Sequence, residues 1–139
     1  LDMLIQRDSR HLYSSASSAQ TTTNRQWTES ARGRGVEGPA TERDLREVVA
    51  ADERPTVGHE IGQWMYWPDF KEIRKWTGVM ALKNFELIRD DMAKKHLLDQ
   101  ESDFVQAGGR FATLLYKEEI EVLLLTPGYG GFSLLDLHD

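Results

Sequence analysis

The chain has no cysteine among its 139 residues, which excludes disulfide staples and thiolate metal sites. It lacks any apolar run near the roughly 20 residues that a membrane-spanning helix needs. Basic residues are in deficit, 17 against 23 acidic, for a net charge of −6. A net charge of that sign gives no electrostatic case for nucleic acid or an anionic membrane surface as a partner, and none is expected. The Arg-Gly-Arg-Gly run at 32–35 is too short to reverse this. Catalytic signatures are missing as well. There is no Gly-x-Ser-x-Gly elbow for a serine hydrolase and no Gly-Lys-Ser/Thr phosphate loop. The Gly-Tyr-Gly-Gly run at 128–131 follows a helical stretch and precedes a strand, the wrong order for a phosphate cradle. No second histidine stands at ligand spacing from His59, so no metal site is expected.

What remains is 40% hydrophobic, enough for one domain with its own core. Residues 1–6 read as the end of an apolar helix, and 10–15 as a short strand after a turn at Asp8 and Ser9. A polar Ser/Thr/Ala/Gln loop covers 14–24, and a weak strand is expected within 26–31, before a Gly-rich turn at 32–39. Thr41 and Asp44 resemble a capping box for a helix whose apolar face is Leu45, Val48 and Val49 and which ends near Asp52. Residues 55–59 form the next strand, with Glu60 at its carboxyl end. A short helix is expected over 70–77, and Phe85, Ile88 and Met92 mark the inner face of another. Phe104, Gly108, Phe111, Leu115 and Val122 keep helical spacing through a longer one that Pro127 and Gly128 stop. The run at 130–139 reads as a last strand, with Asp136 and His138 on one face by its two-residue period.

Helices alternating with about four strands predict an α/β fold with a parallel sheet and a ligand site at the strands' carboxyl ends. Periodicity leaves open whether that sheet is half of an eight-stranded barrel or a small open one.

Two runs carry a resemblance: Arg-Pro-Thr-Val-Gly-His-Glu-Ile-Gly-Gln-Trp at 54–64 and Thr-Pro-Gly-Tyr-Gly-Gly-Phe-Ser-Leu-Leu-Asp-Leu-His-Asp at 126–139. Together they resemble the end of the catalytic (β/α)8 barrel of clan A glycoside hydrolases, in particular the family 2-like glycan-degrading proteins of gut Bacteroidota. Lys83, Asn84, Phe85 and Glu86 match a helix of those proteins, and Ser133 stands where they often carry glutamine. The resemblance covers nearly all of 1–139, with 9–17 and 27–35 as fifth and sixth strands. It implies a partial TIM barrel of about strands five to eight, the C-terminal part of a longer domain. It also implies a periplasmic or secreted location, no cofactor, and retaining hydrolysis of a plant or host glycan. Glu60 would be the nucleophile. The acid/base of the clan ends the fourth strand, which would fall before residue 1, so the chain would hold half of the catalytic pair and be inactive alone.

Other candidates are argued from the residues themselves. His59 would orient a neighbour or satisfy a carbonyl. Trp64 and Tyr66, with Trp67 and Trp76, offer aromatic faces for a pyranose, or else pack a helix onto its strand. Asp136 and His138 would contact sugar hydroxyls or satisfy each other. Arg32, with Arg34, would grip a uronic acid carboxylate or stay solvated. The competing function is a non-catalytic carbohydrate-binding or interaction domain built on the same aromatics. Half a barrel would leave two strand edges unpaired, so the expected partners are the rest of the barrel or a second copy of the chain.

Overall fold

The computed structural model describes residues 1–15, 24–30 and 44–135. In chain order it holds α1 (Asp2–Arg7), β1 (Thr28–Ser30), α2 (Arg46–Ala50), β2 (Thr56–Ile61), α3 (Lys83–Lys94), α4 (Glu101–Leu125) and β3 (Tyr129–Leu134). Short 3-10 helices run over Phe70–Lys75 and Leu98–Gln100. About half of the described residues are helical. The chain divides into two compact units, Leu1–Trp64 with Leu115–Asp139, and Met65–Leu114.

The first unit contains the sheet, three parallel strands in the order β1-β2-β3. Thr28, Glu29 and Ser30 pair with Thr56, Val57 and Gly58. Against β3, Gly58 pairs with Phe132 but Ile61 with Leu134. Three steps along β2 therefore match two along β3, which is a β-bulge at His59 and Glu60. The core is Leu45, Ile61 and Leu123, with Val48, Ile120, Val122, Tyr129 and Phe132 packed against it. Gly58 lets the second half of α4 lie flush on β2, since a Cβ there would stand 2.9 Å from Leu123 Cδ1. The turn from α2 into β2 is closed by Asp52, which accepts the backbone N–H of Arg54 at 3.0 Å and its guanidinium at 2.7 and 2.5 Å. Those bonds, with Arg25 nearby at 3.5 Å, hold the Asp52 carboxyl far below the usual carboxylate range.

In the second unit, α3 buries Met92 and leaves Phe85 and Ile88 half-buried. It ends at His96, whose φ of 56° allows Leu97 N–H to donate back to Met92 O at 3.0 Å, a Schellman closure. Trp67 stacks on Phe104 with ring centroids 5.0 Å apart, and its backbone N would lie 3.0 Å from a Cβ added at Gly108. Gly108 in α4 thus has a packing reason despite its helical cost, whereas a Cβ at Gly109 would meet nothing within 4 Å.

The fold is α/β, as the alternation of segments predicts, but it is not strands five to eight of a TIM barrel. Among the described residues there is one small three-stranded parallel sheet beside a large helical fraction. The expected strand at 10–15 does not form. Tyr13 O accepts Gln26 N–H at 2.9 Å, but Tyr13 N–H donates to the Gln26 side chain at 3.0 Å. A side-chain amide takes the place of a second backbone partner, and the ladder ends after one bond. Elsewhere α1, α2, α3, α4 and β2 lie near where the sequence puts them. Thr41 of the expected capping box lies outside the described residues.

Candidate functional site

The site is built on the bulge of β2. In a regular strand consecutive side chains point to opposite faces, so His59 and Glu60 should not meet. Yet His59 Nε2 lies 3.2 Å from Glu60 Oε1. The reason is backbone conformation: Glu60 has φ of 54°, in the left-handed region that non-glycine residues seldom enter. The left turn swings its carboxylate to the side of the imidazole.

β1 completes the group. Its Glu29 pairs with Val57, so by the two-residue period it shares a sheet face with His59. Glu29 Oε2 stands 3.9 Å from His59 Nδ1, beyond a hydrogen bond but within ion-pair range. The imidazole therefore has a carboxylate near each nitrogen. The Glu29 side chain is 8% exposed against 32% for Glu60. Burial pushes the Glu29 carboxyl up from its ordinary value, His59 opposes this, the Glu60 charge adds to it, and Arg25 also opposes it. Of the two acids, Glu60 is the more exposed.

Three further groups hold the bulge and the turn after it. Glu60 N–H donates to Ser133 Oγ at 3.4 Å, and that hydroxyl donates to Gly58 O at 3.5 Å. The amide of Gln63 donates to Glu60 O at 3.3 Å. Gly62 N–H donates to the buried carboxylate of Glu119 on α4, at 3.1 Å. Sequence reading missed Glu29, Ser133 and Glu119 as parts of this site. The one visible signal for Glu119 is an acidic residue at helical spacing between the apolar Ala112 and Leu123.

Trp64 is half-buried, four residues past Glu60. Within the second unit Tyr66 is 62% exposed and Trp76 49% exposed, while Trp67 is packed on Phe104. Of the aromatics, then, Trp67 is a packing residue and Tyr66 and Trp76 keep open faces. Arg32, Arg34, Asp136 and His138 lie outside the described residues. A surface pocket of about 430 Å³ lined by Leu4, Arg7, Asp8, Arg10 and Tyr13 contains none of the site residues. Among the described residues no three acidic or histidine side chains converge as metal ligands.

No known protein family, curated protein or solved structure matches the chain. Function must therefore be argued from the group around Glu60.

One sequence feature bears on the rival phosphate-binding class. Gly33, Gly35 and Gly38 have Gly-x-Gly-x-x-Gly spacing between β1 and α2. A cradle of that kind needs the third glycine to open the helix. Here Gly38 is followed by Pro39, and residues 31–43 lie outside the described residues, so the spacing stands as a feature of the sequence alone.

Proposed function

We propose that the chain carries the nucleophile of a retaining glycoside hydrolase, with Glu60 as the attacking carboxylate and His59 as its positioning neighbour. The observation that carries this reading is a half-exposed carboxylate near the carboxyl end of a parallel strand, in a left-handed conformation that turns it against an imidazole. Strained backbone of this kind persists where a side chain must be aimed. In the first step Glu60 Oε attacks the anomeric carbon, the glycosidic C–O bond breaks, and the leaving oxygen takes a proton from a second carboxylic acid. Glu29 does not suit that second role, because it is buried and the imidazole intervenes.

The test therefore uses a substrate that needs no acid. A 2-deoxy-2-fluoro sugar bearing a 2,4-dinitrophenolate leaving group forms the glycosyl-enzyme without proton donation, and the fluorine slows its hydrolysis. With gluco, galacto, manno and glucurono configurations in both anomers, one member should add a single sugar mass to the Glu60 peptide, and Glu60→Gln should abolish the addition. Absence of label across the set, or label on another residue, refutes the assignment.

A second reading, a non-catalytic carbohydrate-binding domain, is favoured by the open faces of Tyr66 and Trp76. Calorimetric binding of the parent sugars without any label would select it. In either reading the partner is a carbohydrate. A second copy of the chain is the further partner, through β1 and β3, which each pair on one side only among the described residues.

A further inference from the structure

The left-handed conformation of Glu60 costs about 1 kcal/mol for a residue with a Cβ, so something in the fold must impose it. Two of the bonds around it, Ser133 to the Glu60 N–H and Gln63 to the Glu60 carbonyl, are long, at 3.4 and 3.3 Å. The third is shorter, at 3.1 Å, buried, and made to a carboxylate.

The partner of that bond, Gly62, is itself held on α4. Its φ is +87°, and a Cβ there would stand 2.1 Å from the Tyr116 ring. Tyr116 and Glu119 are three residues apart, hence neighbours on one face of the helix. One supplies a flat wall for the turn and the other an acceptor for its N–H. A carboxylate buried beside Leu123 and Ile120 is a poor choice for stability, since its desolvation costs more than an apolar side chain of that size would.

We infer that Glu119 is a positioning residue: by accepting the Gly62 N–H it fixes the turn after β2 and thereby keeps the Glu60 carboxylate against His59. This rests on Glu60 being the reacting group, but its test needs no turnover.

The full chain is prepared as wild type, Glu119→Gln and Glu119→Leu, each with and without Glu60→Gln, and circular dichroism checks folding. Two nuclear magnetic resonance readouts are taken, hydrogen exchange of the Gly62 amide and the change in the His59 ring resonances caused by Glu60→Gln. In Glu119→Leu, Gly62 exchange should rise about tenfold, the loss of one strong hydrogen bond. The His59 response to Glu60→Gln should disappear. Glu119→Gln keeps an acceptor oxygen, so the His59 response should survive while the Gly62 proton resonance shifts with the change of acceptor. A Leu variant that keeps wild-type Gly62 exchange and His59 response overturns the inference. Should the Leu variant not fold, an unmoved Gly62 proton in Glu119→Gln overturns it instead. Labelling of Glu60 by the fluoro sugar can succeed under any of these results, so the two readings fail separately.

Discussion

Glu60 carries two demands that oppose each other. Its side chain must be a carboxylate for the proposed chemistry, and its backbone sits where glycine would be easier. Glu60→Gly should therefore raise stability by about 1 kcal/mol while removing sugar labelling. Urea unfolding checks the first half, and a loss of stability would mean that the contact with His59 outweighs the strain. Glu29 makes a pH prediction. Its carboxyl is pushed up by burial, with His59 opposing, Glu60 reinforcing and Arg25 opposing. The folded state thus holds its proton more tightly than the unfolded chain, and the stability this gives is present below the unfolded value and is lost as pH rises through the folded one. Above that point wild type bears a buried charge that Glu29→Gln lacks. The stability of Glu29→Gln relative to wild type should therefore climb from pH 4 towards neutrality and then level off, as followed by urea midpoints. A difference that stays flat with pH would contradict the assigned direction.

For the elements, α4 is the instructive one. Its sustained helical period and its stop at Pro127 and Gly128 are legible in the sequence, because both depend on local spacing and locally acting residues. Its inner face is not. The apolar positions Phe111 and Val122 suggest one stripe, whereas the buried positions are Ala112, Glu119, Leu123 and Thr126, and Phe111 is 59% exposed. Leu114, Leu124 and Leu125 are also exposed, so the helix is apolar on several sides and periodicity alone cannot choose among them. Leu123→Ala should cost about 2–5 kcal/mol. Phe111→Ala should cost within about 1 kcal/mol. Equal costs in thermal unfolding would mean that the stripe suggested by the sequence is the functional core face after all. The strand expected at 10–15 fails for a related reason, since β pairing depends on a partner and the Gln26 side chain takes one of the two bonds there.

At the scale of the molecule, few apolar side chains among the described residues are fully buried. Leu45, Ile61 and Leu123 make the core of the first unit, and Met92 and Ala112 are buried in the second. Met65, Val79 and Met80 are largely or wholly exposed, at 91, 102 and 71%. With β1 and β3 paired on one side only among the described residues, the chain has surface that association would cover. Light scattering should give a mean mass that rises with protein concentration above that of one chain. A constant monomeric mass would remove the second copy from the list of partners. None of the helices among the described residues is long and apolar enough to cross a membrane, in line with the absence of such a run in the sequence.

The sequence by itself determined the α/β alternation, the C-terminal stop of the long helix, the position of β2 and the choice of Glu60 and His59 as neighbours of interest. Each depends on interactions within a few residues, such as helical period, proline and glycine stops, or a β-rich run. Only the tertiary structure decided that the sheet has three strands among the described residues and not a barrel's share. It also decided that Glu60 turns left-handed at a bulge to meet His59, and that Glu29, Ser133 and Glu119 gather around it from other elements. Apart from the turn of Glu60 onto its neighbour His59, those are relations between residues 30 to 75 positions apart, roughly, and no local propensity encodes which strand register or helix face brings such residues together.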